Sequence, residues 1–302
     1  MSKINFKKPS AEDLTRDNDI FKSMNFSGVQ PSPDDDRDFL ACTTKKVKKF
    51  PSQYISKRTE ILNQGIYSSC VAHACASALA QGDEILCGKH NEYSRGYIYG
   101  NRRDTDTQEE GMIIRQALKQ LNHCGDVLYE DFPYNKRYPS VKRLIEKDKE
   151  NLAAKALPYA IKEYFRCYGE DEIKDTIMQY GSVIICVPIY NNFGRDLSMP
   201  DTTNKKTKVK GFHAMIVIGW NKEGKWIVQN SWGKNWGYDG TLLMDPDYRV
   251  YEWWGIKTTN VNINDNKKEK LNWFQRLIRW FKSLFTKKGI MAKFVASKKE
   301  GK

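Results

Sequence analysis

The stretch at 211–240 constrains this chain more than any other, because it joins short apolar runs to a run of Trp and Gly. It reads GFHAMIVIGWNKEGKWIVQNSWGKNWGYDG, and the turns between its apolar runs predict antiparallel strands at 213–220, 225–230 and 240–244. His213 begins the first strand and Asn230 ends the second. An imidazole there can act as a base, and a neighbouring amide can hold it in one tautomer. The stretch contains no nucleophile, so another part of the chain has to supply one.

A candidate nucleophile stands at the start of an Ala-rich helix predicted within 61–86. Ser68 or Ser69 is a suitable N-cap, which places Cys70 in the first turn. There the positive end of the helix stabilises a thiolate. Gln64 lies in the loop before the helix and can donate its amide, together with the Cys70 backbone N–H, to an oxyanion.

Each of these residues also has a plainer interpretation. Taken alone, Cys70 is a buried packing thiol and His213 a satisfied core histidine. Asn230 is then a turn residue, and Gln64 caps the helix. His73, one helical turn after Cys70, is interpreted as a packing or cleft-wall residue. Only their combination in one chain favours nucleophilic catalysis.

The order of the predicted elements indicates the fold class. Helices come first and strands later, which is typical of an α+β protein. The continuous apolar run SVIICVPIY at 182–190 predicts a buried strand, and a mobile polar loop is predicted at 195–210. The predicted helices lie at 10–24 with Ser10 as its cap, at 93–100, at 112–122, at 140–155 as a solvated helix, and at 170–180.

Three motifs follow one another as QGIYSSC at 64–70, GFHAMIVIGW at 211–220 and NSWGKNWGYDG at 230–240. With EEGMIIRQALKQL, EDFPYN and GSVIICVPIYNNF between them, they make the chain resemble the papain family of cysteine peptidases, from about Pro31 to Thr258. The order and spacing of the Cys, His and Asn agree with that family. The resemblance implies a two-lobed fold, with the cysteine on a helical lobe and the other two residues on an antiparallel β-barrel-like lobe.

The resemblance also implies an activity and a set of roles. The activity is thiol-dependent hydrolysis of peptide bonds in protein or peptide substrates, without a metal or an organic cofactor. Trp232 is expected to shield the hydrogen bond between His213 and Asn230 from water. Glu110, Gly111 and Phe212 are assigned to the substrate cleft, where a glycine lets a peptide backbone approach closely.

The chain departs from the family pattern in ways that concern control. Tyr67 stands where many members have a disulfide cysteine, and Val71 and His73 replace common neighbours of the nucleophile. No recognisable pro-domain precedes the predicted catalytic domain at 46–260. The candidates for covering the cleft are therefore the N-terminal arm at 1–45 (hereafter the arm) and the C-terminal tail at 261–302.

Two other functions stay open at this stage. One is a structural or virion-associated protein that keeps the scaffold but has lost catalysis. The other is an enzyme that uses the same acyl-thioester chemistry for transfer or amide hydrolysis on a non-protein substrate. An intact set of Cys70, His213, Asn230 and Gln64 favours an enzyme over a vestigial scaffold.

Charge and cysteine content restrict the partners and the compartment. Residues 266–302 hold 12 Lys/Arg against 2 Asp/Glu, which leaves only +3 of the formal charge of +13 for the preceding chain. The basic character is thus confined to the tail, which argues against a nucleic-acid-binding fold. Seven cysteines without a CxxC pair, and a polar N-terminus without a secretory signal, predict a reducing, cytoplasmic location.

The tail contains a strongly amphipathic segment, LNWFQRLIRWFKSLFT at 271–286. At helical spacing its Trp, Phe, Leu and Ile side chains share one face, and its Arg and Lys side chains share the other. Such a C-terminal helix suits an anionic membrane surface. It also suits a groove on a partner protein or packing on the chain's own domain. All three alternatives stay open.

Overall fold

A computed structural model describes residues 10–23, 28–33, 35, 38, 49–103, 110–200, 203 and 207–259. The chain divides into two compact units, 1–260 and 261–302, and every described residue belongs to the first. The predicted amphipathic helix at 271–286 lies outside the described residues. Among the helices described, none is both long and apolar enough to cross a membrane.

The helices follow the predicted order, with α2 as the buried central helix. They are α1 (Ala11–Ser23), α2 (Cys70–Cys87), α3 (Arg95–Gly100), α4 (Ile114–Cys124), α5 (Tyr138–Lys147), α6 (Lys149–Ala156) and α7 (Glu170–Tyr180), with a short 3-10 turn at Leu157–Tyr159.

Two of the helix predictions are refined by the structure. The Ser10 hydroxyl accepts from the Asp13 backbone N–H, and the Asp13 carboxylate accepts from the Ser10 N–H. This reciprocal capping box begins α1 at the predicted residue. The solvated helix predicted at 140–155 is instead two helices, α5 and α6. Both bury apolar residues, among them Val141 and Leu152.

The strands form one large sheet and one two-stranded pair. They are β1 (Val29–Gln30), β2 (Tyr54–Ile55), β3 (Met112–Ile113), β4 (Glu163–Arg166), β5 (Val183–Ile189), β6 (Asp196–Leu197), β7 (Gly211–Trp220), β8 (Trp226–Gln229), β9 (Thr241–Met244) and β10 (Glu252–Lys257).

The expected barrel-like lobe is an open sheet. Its order is β4-β10-β5-β7-β8-β9-β6, with β2 added beside β7, while β1 pairs only with β3. Within the described residues no pairing joins β4 to β6. The fold is therefore α+β as predicted, with helices on a mixed, mainly antiparallel sheet, but the barrel is not closed.

Strand β7 lies at the centre of the sheet and separates two apolar clusters. Ala214, Ile216 and Ile218 belong to the cluster that contains α2, whereas Met215 and Val217 belong to the cluster rich in tryptophan. Alternation of side chains along a strand accounts for this division. Packing of α2 against β7 brings the first turn of the helix to the beginning of the strand.

Six strands were missed by the sequence predictions, of which β1, β2 and β3 have only two residues each. β4 and β10 are short and pair with each other through Trp254 opposite Arg166, and neither shows the regular apolar–polar alternation of a half-buried strand. β6 lies inside the loop predicted at 195–210, where Leu197 is buried and pairs with Met244 of β9. The start of that loop is thus part of the sheet.

Candidate active site

The predicted nucleophile and base lie together where α2 meets β7. Cys70 is the first residue of α2, and the backbone N–H of Ala214 points at its sulfur. Because Ala214 directly follows His213, this contact places the thiol beside the imidazole-bearing end of the strand. Ser69 is the N-cap residue, as one of the two predicted caps, but its side chain makes no capping hydrogen bond.

His213 is held by the side chain of Asn230. The imidazole Nε2 and the Asn230 Oδ1 are 2.8 Å apart, and Oδ1 also accepts from the Ser231 backbone N–H at 2.8 Å. An amide oxygen can only accept, so Nε2 carries the proton. Nδ1 then keeps its lone pair for a proton from another group, as a general base requires.

The His213–Asn230 pair lies under aromatic rings. The centroid of the Trp232 ring is 5.0 Å from that of His213, and Phe193 approaches the same imidazole edge-on at 6.3 Å. His213 is 2% exposed, and burial lowers its pKa to about 4, with the Asn230 hydrogen bond opposing that shift. The imidazole is therefore neutral in this state near pH 7.

Gln64 lies in a loop that is joined to the segment after Asn230. Its backbone N–H donates to the Ser231 carbonyl at 2.9 Å, and its Oε1 accepts from the Ser231 hydroxyl at 2.7 Å. One proton of Nε2 is donated to the Tyr67 carbonyl at 3.0 Å. The amide is fixed in position by these contacts, with its nitrogen on the side of the loop that leads to Cys70.

Cys70 itself is a buried thiol, contrary to the thiolate predicted at a helix start. Its exposure is 1%, and burial raises its pKa to about 12 despite the backbone N–H groups of Ala214, Val71 and Cys70 that face the sulfur. The partial charge of a helix N-terminus stabilises an anion only modestly. Loss of water outweighs it here, because removing a charge from water costs more.

The three residues assigned to the substrate cleft have different surroundings. Glu110 accepts from Arg137 Nε at 2.8 Å. Gly111 has a φ of 100°, which a residue with a Cβ adopts only under strain. Phe212 is half-buried, with its ring edge-on to Tyr251 at 5.1 Å between centroids.

The arm covers Cys70 and keeps solvent from its sulfur. Gly28 crosses directly above the nucleophile, and a Cβ placed on this glycine would lie 2.7 Å from the Cys70 sulfur. The Met112 N–H donates to the Gly28 carbonyl at 3.0 Å. Val29 and Gln30 then form β1, parallel to β3. No sequence signal singled out Gly28, since one glycine in a turn-rich segment is unremarkable.

Before this crossing, the arm is docked beside His213 by α1. The Phe21 ring lies 6.2 Å from Phe193 and 6.3 Å from Trp232 between centroids. Asp17 is buried and accepts from Arg195 Nε. These contacts place α1 over the aromatic cover of the imidazole.

His73, in α2, is fully buried. Its Nδ1 is 2.9 Å from the Ser69 carbonyl, and burial lowers its pKa to about 3. The residue therefore packs inside the helical layer as a neutral imidazole, in agreement with its interpretation as a packing residue.

Known proteins resemble this chain in sequence. The family model described as papain family cysteine protease matches residues 51–263. The chain is 28% identical over 201 residues to an uncharacterized peptidase C1-like protein of Acanthamoeba polyphaga mimivirus, covering 62% of this chain and 64% of that protein. It is 25% identical over 202 residues to the viral cathepsin of Adoxophyes honmai nucleopolyhedrovirus, covering 61% and 53%. The chain thus spans between half and two thirds of these relatives.

The fold is also similar to that of solved proteins. Xylellain, a cysteine protease from Xylella fastidiosa, superposes with a TM-score of 0.66 at 24% identity, over 78% of this chain and 96% of that one. Procathepsin B S9 from Trypanosoma congolense gives a TM-score of 0.62 at 15% identity, over 78% and 87%. At such identities the likeness concerns the fold.

Proposed function

The chain belongs to the papain family of cysteine proteases, and on that premise we propose that it hydrolyses peptide bonds with Cys70 as the nucleophile. The observation that carries the proposal is the 2.8 Å hydrogen bond between His213 Nε2 and Asn230 Oδ1. That bond leaves Nδ1 as the acceptor for the thiol proton. The backbone contact from Ala214 to the sulfur supports the same pairing.

The reaction divides into two steps. His213 Nδ1 takes the Cys70 proton, and the sulfur attacks the scissile carbonyl to give a tetrahedral oxyanion held by Gln64 Nε2 and the Cys70 N–H. The imidazolium returns its proton to the leaving amine, and an acyl thioester remains. His213 then removes a proton from water, which attacks the thioester and releases the acid and the thiol. Asn230 keeps the ring oriented throughout, and Trp232 keeps water from that hydrogen bond.

The closed arm restrains this chemistry in two ways. Gly28 occupies the space above the sulfur that a substrate carbonyl requires. Burial of Cys70 and His213 also favours neutral thiol and neutral imidazole over the ion pair. The arm therefore has to leave the crossing before a substrate can bind, and its departure also returns water to the thiol.

An epoxide-type thiol probe tests the proposal. We expect the full chain to form one adduct on Cys70, located by mass spectrometry of its peptides, and the Cys70→Ala variant to form none. Cys186, a buried thiol in β5, provides the matched control, because its replacement by Ala should leave the adduct unchanged. Absence of any Cys70 adduct under native conditions, with the arm displaced by substitution of Gly28, contradicts an active thiol and favours the vestigial scaffold.

Peptide-library cleavage separates peptide hydrolysis from acyl transfer or amide hydrolysis on a non-protein substrate. Cleavage that depends on Cys70 supports the peptidase. A probe-reactive thiol that cleaves no peptide in the library favours acyl transfer or amide hydrolysis on another substrate.

We also propose that the tail brings the protein to an anionic membrane surface from a reducing compartment. Support comes from the separation of aromatic and basic residues within 271–286 and from the excess of basic residues at 266–302. Full-length protein should co-sediment with vesicles containing phosphatidylserine and should be released at high salt. A variant with Arg276, Arg279 and Lys282 changed to Gln should bind less, and equal binding by this variant contradicts the proposal.

A further inference from the structure

A buried cluster of one carboxylate and two guanidinium groups holds the arm beyond its crossing. Arg115 Nε donates to Asp38 Oδ1 at 2.6 Å, and a second Arg115 nitrogen donates to Oδ2. Arg166 Nε donates to Asp38 Oδ2 at 3.2 Å. The three side chains are between 7% and 12% exposed. This two-pronged contact from Arg115 is the strongest geometry for binding a carboxylate.

The two arginines are also positioned by contacts within the body of the protein. Arg115 is in the first turn of α4, and Arg166 is the last residue of β4. The Arg166 guanidinium lies over the Trp254 ring at 4.6 Å, and Glu252 Oε2 is 3.5 Å from it. Glu252 is in turn held by Trp254 Nε1 at 2.7 Å. These contacts do not involve the arm, although the Ser32 N–H of the arm also donates to the other Glu252 oxygen at 3.1 Å.

The charge of the cluster favours the binding of an anion. Once the arm leaves with Asp38 and with Asp35, whose charge also acts on Arg115, the two arginines face the carboxylate of Glu252, which leaves an excess of one positive charge. A guanidinium that is mostly buried and loses its partner is costly. The planar fork of Arg115 remains aimed at the vacated position, and it matches another carboxylate better than water or an amide.

A continuous edge leads from Cys70 to this cluster. The arm pairs with Met112 and Ile113, and two residues later the Ser32 hydroxyl accepts from the Arg115 backbone N–H at 3.3 Å. An extended peptide lying along the same edge covers about 3.3 Å per residue. It therefore reaches Arg115 roughly three to five residues from the residue above the sulfur.

The reaction chemistry decides which part of a substrate lies on this edge. His213 protonates the leaving amine, so the part of the substrate after the scissile bond lies on the side of His213 and Trp232. The part before the scissile bond lies along Met112 and Ile113. A side chain that reaches Arg115 consequently belongs to a residue on the N-terminal side of the cut.

From these contacts we propose that Arg115 and Arg166 bind an acidic side chain of the substrate, roughly three to five residues before the scissile bond. Asp38 fills this site while the arm is in the cleft, and a substrate Glu or Asp takes its place once the arm has left. The inference rests on the proposed function, since it names the substrate class selected by the same cleft. It makes the protein a peptidase for acidic segments.

Positional peptide libraries test the proposal in two separate readouts. In each library one position is fixed as Glu or as Gln, which differ in charge but hardly in size. The first readout is cleavage by the full chain carrying Asp38→Asn. The second is capture of peptides by the full chain carrying both Asp38→Asn and Cys70→Ser, which binds but does not cut. We expect a preference for Glu over Gln of roughly tenfold, at a position in the predicted window.

Variants of the two arginines connect the preference to the site. Arg115→Gln should bring the Glu:Gln ratio close to one, and the ratio is the readout because the variant can also change the rate at which both libraries are cleaved. Arg115→Lys, which keeps the charge but loses the fork, should give an intermediate ratio and preserves the test where the Gln variant is poorly folded. Arg143→Gln, at an exposed position on α5, is the matched control and should retain the full preference.

The outcomes distinguish failure of the acidic site from failure of the proposed hydrolysis. Cleavage and capture with no preference for Glu in the window overturn the acidic site and leave Asp38 as a latch only. Capture that prefers Glu, without any cleavage, supports the acidic site and overturns the proposed hydrolysis instead.

Discussion

The arm is held by different means on the two sides of the cleft. On the side of His213, α1 docks by aromatic packing of Phe21 and by one buried ion pair of Asp17 with Arg195. On the other side, the arm is held by backbone pairing to β3 and by the Asp38 carboxylate. Packing of this kind tolerates many sequences of similar volume. Backbone pairing with a fixed carboxylate is what a peptide substrate can imitate.

This contrast predicts that the crossing between the two anchors is the most sensitive point. Gly28→Leu has no space above Cys70, because even a Cβ there would lie 2.7 Å from the sulfur. Displacement of the arm should raise the labelling rate of Cys70 by the epoxide probe by roughly a hundredfold or more. Gly194→Leu is the control, since the nearest atom to its Cβ is 3.8 Å away. Equal labelling of wild type and Gly28→Leu would mean that the crossing does not limit access.

The first anchor should show the next largest effect. Asp17→Asn leaves Arg195 largely buried without its closest charged partner, at a cost of about 3 kcal/mol. If this cost falls on docking of α1, labelling of Cys70 rises roughly a hundredfold at most. Asp19→Asn, whose side chain is 71% exposed, provides the comparison on the same helix and should match wild type. A loss of thermal stability in Asp17→Asn without faster labelling would show that α1 supports the fold and not the closure.

The second anchor should contribute less to closure. Asp38→Asn removes the charge from the Arg115 site, but Arg166 keeps Glu252 nearby, so the cost should be about 1.5 kcal/mol, or roughly tenfold in labelling rate. The double variant with Asp17→Asn measures whether the anchors act independently. Additive effects are expected, because the anchors share no side chain. Strong coupling between them would instead indicate that the arm is released as one unit.

The smallest effect should come from pH, and it should act at the crossing. Burial lowers the pKa of His213 to about 4, so between pH 6.5 and 4 an exposed imidazole binds a proton that the closed state excludes. By linkage, opening becomes more favourable as the pH falls through this window, and the gain stops below about pH 4. The labelling rate of wild type relative to Gly28→Leu should therefore rise about threefold from pH 7 to 6. A constant ratio would place His213 in the same surroundings in both states.

Much of the fold follows from local sequence signals. Ser10 and Asp13 specify the start of α1, the Ala-rich run specifies α2, and the apolar run at 183–189 gives a strand buried along its whole length. Such signals arise from neighbours in the chain. The open sheet could not be inferred this way, because its edges depend on β4, β6 and β10, which are short and gain their stability from distant partners.

The residues of the candidate site could be predicted from the sequence, but the protonation state of Cys70 could not. Cys70, His213, Asn230 and Gln64 stand in recognisable motifs, and α2 and β7 bring the first two together. The prediction of a thiolate at Cys70 was wrong for the closed state, because the thiol is buried beneath Gly28, which is distant from it in the sequence. The parallel pairing of Val29 with Met112 and of Gln30 with Ile113 fixes the position of Gly28. No residue near Cys70 in the sequence specifies that pairing.

The parallel direction of β1 beside β3 has a consequence for the fate of the arm. From α1 to Gln30 the arm runs from the His213 side of the cleft toward Met112, which is backwards for a peptide that is to be cut there. The Gly28 carbonyl is engaged by the Met112 N–H. The arm thus lies in the cleft in the direction opposite to the one that the proposed cut requires, so activation requires release of the crossing, or a cut made elsewhere in the arm.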